Sequence, residues 1–354
     1  MIVSAMNLVE LTRQLIDIPS TTGDEAEVCL FLTSLLKSLG YRVEAQEMEP
    51  GRANLVATTS APPRVVFSTH MDTVPPHIAS SEDEGHVYGR GACDAKGIIA
   101  AQIMAAEKLR QAGVNEVGLL FTVDEEAGSA GARLANRHPL ASMCSYLING
   151  EPTDNQLAVG SKGSLRLRLQ TQGRAAHSAY PERGASAIEK LLDALADIRQ
   201  LVWPSDEFFG ATTCNIGTLQ GGTRANVIPA EAQADLHIRL AAPANAVKEL
   251  LERTIAGRAS VEYLSLTEPV RMLALEGFDS CVVRFTTDVP HLTNWGEPLL
   301  LGPGSILDAH TEHERVARSE LFAAVDLYAR LAQTLLARAG RGRARQADAE
   351  GAAS

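Results

Sequence analysis

Residues 24–40, DEAEVCLFLTSLLKSLG, place apolar side chains at helical spacing and stop at Gly40, which predicts a helix closed by a glycine. RVVFSTH, residues 64–70, is a short apolar run that turns polar at its end and predicts a buried strand. GIIAAQIMAAEKLRQAG (97–113) predicts another glycine-stopped helix, and VGLLFTVDEE (117–126) and CSYLINGE (144–151) predict two further strands. Apolar strands alternating with helices predict an α/β unit whose sheet is largely parallel. In such sheets ligands bind beyond the carboxyl ends of the strands. The opening segment, MIVSAMNLVELTRQLIDI, has acids and a helical rhythm where a leader peptide has a basic end and a cleavage site, so it predicts a first helix of the fold.

The period changes at residue 164. SLRLRLQTQG alternates strictly, as a strand with one wet face does, and AEAQADLHIRL (230–240) alternates in the same way. With helices at 185–201 and 243–257 and strands at 212–222 and 260–266, the order is strand, helix, strand, strand, helix, strand. That order predicts an inserted α+β domain, residues 164–270, with an antiparallel sheet. The α/β pattern then resumes with PLLLGPGS and a long last helix, so residues 1–163 and 271–338 form one domain. Residues 339–354 show no apolar face and are expected to lack regular structure.

Composition narrows the class. A chain of 354 residues is long for one core, in keeping with two domains, and 45% hydrophobic with 21% charged residues is a soluble globular balance. A net charge of -11 argues against general nucleic-acid binding, and no apolar run is long enough for a membrane helix. The five cysteines are widely spaced and contain no C-x-x-C pair, which points to a reducing cytoplasm rather than to disulfides or a cysteine-held zinc.

The chemistry-bearing residues fall at strand ends. His70 and Asp72 follow the first apolar strand; alone, they also suit a polar turn. Asp94 stands in GRGACDAKG at the opening of a helix, where an N-cap would equally place an aspartate. Asp124, Glu125 and Glu126 stand in a row after a strand, where mutual repulsion favours either solvent or cations. Glu151 follows the third strand, and His310 follows the glycine-rich turn in GPGSILDAHTEHERV. Imidazole and carboxylates from separate strand ends are a mixed nitrogen and oxygen set suited to Zn, Co or Mn.

In order and spacing these stretches resemble the M20 metallopeptidase family, which includes acetylornithine deacetylase, succinyl-diaminopimelate desuccinylase, aminoacylase and glutamate carboxypeptidase; the likeness covers about residues 5–338. The resemblance implies two divalent metal ions, Zn or Co. His70 would bind one and His310 the other, Asp94 would bridge them, and Glu126 and Glu151 would each complete one set. It further implies Glu125 as general base, Asp72 as the group that orients His70, and His177 of GRAAHSAYP as an oxyanion donor supplied by a partner subunit through the inserted domain. Asn226 of GGTRANVIP and Arg239 of LHIRL would hold a substrate α-carboxylate, although the latter also reads as a solvent-facing strand arginine. The expected activity is removal of a small acyl group from an N-acyl amino acid. GPGSILDAHT favours an acetylornithine-deacetylase-like enzyme of arginine biosynthesis, while AHSAYP is as close to the desuccinylase and carboxypeptidase branches. N-acetylcitrulline or N-acetyllysine deacetylation and dipeptidase action are the neighbouring alternatives, and a non-catalytic amino-acid-binding protein is the alternative from another class. Residues 278–295 depart from the family's glycine-rich pattern and keep Thr287 and Asp288.

Overall fold

The computed structural model describes the backbone of residues 7–351 and the side chains of residues 7–340. The chain divides into two compact units, Met1–Val159 with Met272–Cys281 and Thr287–Ser354, and Gly160–Arg271 with Val282–Thr286.

The larger unit is built on a mixed sheet. Its strands run in the order Arg42–Glu49, Arg52–Thr58, Val117–Thr122, Val65–His70, Tyr146–Asn149, Glu297–Leu300 and Leu157–Ser161. Only the central strands, from Val117–Thr122 to Glu297–Leu300, are parallel to one another; the flanking pairs are antiparallel. The expectation of a largely parallel sheet therefore holds for its centre. The antiparallel hairpin at one edge escaped the hydrophobic pattern because its outer strand, RVEAQEME, is mostly solvent-facing and carries no apolar alternation.

Every residue of Val65–His70 and of Val117–Thr122 is buried, as strands covered on both faces require. Helix Lys96–Gln111 covers the sheet together with Leu8–Asp17 and the last helix, Arg318–Gly351. Phe67 on the central strand meets Tyr328 of the last helix with ring centroids 5.3 Å apart. Residues 339–351, expected to lack regular structure, continue that helix, and 352–354 lie outside the described residues. Helix Ala26–Ser38 ends as the sequence predicts, with Gly40 at φ +91°, a conformation glycine adopts without steric penalty.

The smaller unit has four antiparallel strands in the order Thr213–Gly221, Glu231–Leu240, Gly163–Gln172 and Ser260–Thr267. Alternation decides its two faces. Leu165, Leu167, Leu169, Leu236 and Ile238 are buried against helices Ala187–Arg199 and Ala244–Ile255, while Arg166, His237 and Arg239 point to the opposite face. The segment Val282–Thr286, which joins this unit from far along the chain, has no hydrophobic periodicity to announce it.

Candidate metal centre

The parallel strands end at His70, Thr122, Asn149 and Leu300, on one edge of the sheet. Just beyond them come Asp72, then Glu125 and Glu126, then Glu151, then the turn that leads to His310. One edge thus gathers groups that stand up to 240 positions apart in sequence. Glycines make the convergence possible at two points. A Cβ on Gly150 would fall 2.3 Å from Ile98 Cγ2, and one on Gly302 would fall 2.4 Å from the Glu151 carbonyl oxygen.

Asp94 is the hub. Its Oδ1 lies 2.9 Å from His70 Nε2 and its Oδ2 lies 3.2 Å from His310 Nε2. His310 Nε2 is also 2.9 Å from Glu126 Oε1. Two groups of ligand atoms result, His70 with Asp94 and Glu151, and Asp94 with Glu126 and His310, each with its atoms within 4.8 Å of one another. The first is buried throughout; in the second, the His310 side chain is 47% exposed. His310 lies at φ +63°, a backbone region uncommon outside glycine that tends to mark functional positions.

Neighbouring groups fix these side chains. His70 Nδ1 donates to the Asp72 carbonyl oxygen at 2.9 Å, the tautomer that leaves the Nε2 lone pair free for a ligand. The Asp72 carboxylate accepts the backbone N–H groups of Glu125 at 3.1 Å and Glu126 at 3.2 Å and the Thr22 hydroxyl at 2.7 Å. Asp72 therefore orients the histidine through its carbonyl and the glutamate loop through its carboxylate.

The first acid of the triplet has a different fate from the other two. Asp124, at φ +69°, receives Arg52 Nη2 at 3.0 Å and the Ala130 N–H at 3.1 Å, and Arg52 in turn forks onto Glu25 at 2.7 and 2.9 Å. Its charge is spent on the loop, so the repulsion expected among three acids falls to Glu125 and Glu126. Burial pushes the Glu125 and Glu151 carboxyls well above the ordinary range, and nearby carboxylates add to the push. Burial also raises Glu126. Hydrogen bonds from His310 and His70 outweigh burial at Asp94 and hold it below the ordinary range. Asp94 and Glu126 in turn raise His310 to about 10.

The structure supports cations here on its own terms. Among the described residues Glu151 Oε1 is buried without a hydrogen-bond partner, inside a crowd of carboxylates that would otherwise repel. The donors present, one histidine and two carboxylates in each group, fit a borderline or hard divalent ion.

One neighbour was not legible beforehand as part of this centre. Asp288 is fully buried, accepts the Thr122 hydroxyl at 2.8 Å through Oδ2 and leaves Oδ1 without a partner. Burial raises its pKa to about 6. In the sequence it is marked only as one of two residues, Thr287 and Asp288, that keep the family's pattern within 278–295, with no role attached.

The remaining expected residues lie in the smaller unit. His177 is exposed in a loop that pairs with the one bearing Asn226: His177 bridges Val227, and the Ser178 N–H donates to the Asn226 carbonyl at 3.0 Å. Arg239 is half-buried on its strand, 3.5 Å from the Thr286 hydroxyl, and among the described residues it forms no ion pair. Burial, with no carboxylate to offset it, lowers its pKa.

A family model, peptidase family M20/M25/M40, matches residues 66–334. A peptidase M20 domain-containing protein of Schizosaccharomyces pombe is 36% identical over 337 residues, covering 92% of this chain and 84% of its own. A probable carboxypeptidase of Emericella nidulans is 35% identical over 389 residues, covering 95% and 91%. Among solved structures, a Bacillus subtilis protein described as a dinuclear metal-binding peptidase of family M20 superposes with a TM-score of 0.70 at 17% identity, over 93% of this chain and 97% of that one.

Proposed function

We propose, from the premise that the chain belongs to peptidase family M20/M25/M40, that it is a two-cation hydrolase that cleaves the amide bond preceding an amino acid with a free α-carboxylate. The observation that carries this reading is the single Asp94 carboxylate turned towards His70 on one oxygen and His310 on the other, with Glu125 alongside. His70, Asp94 and Glu151 would hold one divalent ion, Zn or Co, and Asp94, Glu126 and His310 the second. When bound, such ions polarise a scissile carbonyl and acidify an attacking water. Glu125, whose buried carboxyl feels the charges of both Glu151 and His70, takes the water's proton and returns it to the leaving nitrogen.

The smaller unit supplies recognition in this reading. Arg239, a half-buried guanidinium without a counter-ion among the described residues, and Asn226 bind the α-carboxylate. His177 acts on the oxyanion from a partner subunit, and the open edge strand Thr213–Gly221 supports pairing of two copies through this unit. We read the compartment as cytoplasmic from the five free cysteines; no helix of the described residues is long and apolar enough to cross a membrane.

The name of the Emericella nidulans relative favours a peptide as substrate, with a carboxypeptidase specificity, and dipeptides are the smallest substrates of that kind. Deacylation of an N-acyl amino acid, of the acetylornithine type, is the second reading, favoured by the stretch GPGSILDAHT at 302–311. Both release the same kind of product, a free amino acid. Steady-state assays on dipeptides, N-acetylornithine, N-acetylcitrulline, N-acetyllysine and N-succinyl-diaminopimelate, each beside its α-carboxamide, separate them. Turnover of the carboxamides as fast as the acids would remove the α-carboxylate from the proposal.

A further inference from the structure

His310 stands four residues before Glu314, and the two do different things to Asp94. His310 meets its carboxylate; Glu314 holds the backbone that carries it. The Glu314 side chain is fully buried, and its Oε1 accepts the N–H groups of Gly91 at 2.9 Å, Asp94 at 3.2 Å and Cys93 at 3.3 Å. Its Oε2 accepts Arg90 Nη1 at 2.6 Å, and its own carbonyl accepts the Gly89 N–H at 3.0 Å. The whole loop 89–94 is thus tied to one residue from a segment more than two hundred positions away.

We propose that Glu314 is a positioning residue of the metal centre: by fixing the backbone at Asp94 it sets the affinity of both cation positions together. The inference rests on the two-cation reading above. Every partner of the Glu314 side chain is a donor, so only a carboxylate, acceptor on both oxygens, satisfies them all. In Glu314→Gln the amide NH2 must face either Arg90 or the backbone N–H groups. Either way the loop shifts, and Asp94, shared by both ligand groups, shifts with it.

The test is a competition titration of Zn against a chromogenic chelator, run on metal-free wild type, E314Q, E314D and H310A, with circular dichroism confirming the fold and melting temperatures recorded without metal. The expected result is that E314Q weakens both binding steps by about 10–100-fold, as loss of a supporting partner does elsewhere, while H310A weakens only one. E314D, which keeps the charge on a shorter arm, weakens both by less, and it carries the test should E314Q not fold. A lower melting temperature with both affinities unchanged in E314Q or E314D would overturn the proposal, leaving Glu314 merely structural. Wild type that takes up no Zn would instead sink the two-cation reading itself.

Discussion

The Asp72 carboxylate accepts the backbone N–H of Glu125 at 3.1 Å across 53 residues of sequence, while the Asp72 carbonyl accepts Nδ1 of His70 at 2.9 Å. One residue therefore couples His70 at one strand end to the glutamate loop of the next. Removing its side chain should leave the carbonyl contact and free the loop. Asp72→Ala is expected to retain metal while its affinity and kcat fall by about 10–100-fold, whereas His70→Ala loses the buried ion outright. Metal analysis after dialysis against a weak chelator distinguishes the two. An Asp72→Ala protein with less metal than His70→Ala would reverse this order.

Much of this centre could be read in advance because the metal reading needs only residue type and place: each of His70, Glu126 and Glu151 follows an apolar run that could only be a buried strand. Roles that depend on which oxygen faces which donor could not. Asp124 reads like its two neighbours until Arg52 is seen to neutralise it, and the partner comes from an edge hairpin whose exposed strand left no hydrophobic signature. Glu314 was hidden for a similar reason, since a buried carboxylate in a loop has no period to betray it, and Asp288 kept a family pattern that carried no sign of its burial beside the centre. In the smaller unit the alternating strands announced the sheet and its two faces, because a half-wet strand writes its geometry into every second residue.

Glu125 should be dispensable for metal and indispensable for turnover. Its carboxyl belongs to neither ligand group, yet it lies among them and is raised by burial and by Glu151. Glu125→Gln keeps the shape and removes the proton acceptor, so kcat should fall by about 10²–10⁴-fold with both ions retained. Hydrolysis at the wild-type rate with metal bound would assign the proton transfer to another base.

Metal removal should cost stability as well as activity. The carboxylates of Glu125, Glu126 and Glu151 are crowded and buried, so the native state gains from any cation that the unfolded chain does not bind. A divalent ion at about 100 times its Kd contributes about 2.7 kcal/mol by mass action. Melting temperatures of metal-free protein titrated with Zn or Co should keep rising with the logarithm of concentration beyond the point at which activity saturates. A melting temperature indifferent to both ions would contradict the assignment.

Gly150 stands between the strand residue Asn149 and the candidate ligand Glu151, and a Cβ there would meet Ile98 at 2.3 Å and Gln102 Nε2 at 2.5 Å. Both belong to the helix that follows Asp94, so strain at this point reaches both Asp94 and Glu151. Gly150→Ala is expected to destabilise by about 1–3 kcal/mol through overpacking and to weaken metal binding at the buried position more than at the exposed one. Chemical denaturation and Zn titration of the same variant check both parts; a variant as stable as wild type would show that the helix yields without strain.

The smaller unit offers a pH test away from the metal ligands. His237 Nε2 pairs with the Ser164 hydroxyl at 2.8 Å, and burial, helped by Arg239 and Arg166, holds its pKa down to about 4. In the unfolded chain the same imidazole titrates near about 6.5. Between those values the unfolded state binds a proton that the folded state refuses, so stability contributed at this position is complete above the unfolded pKa and is lost as pH falls from about 6.5 towards 4. His237→Gln keeps a partner for Ser164 and does not titrate. Denaturation midpoints of wild type and H237Q, measured with chelator present so that metal ligands contribute equally, should converge on acidification as wild type loses its advantage. Parallel pH curves would mean that the fold leaves the His237 pKa unshifted, and a wild type that gains relative to H237Q in acid would mean that the fold raises it.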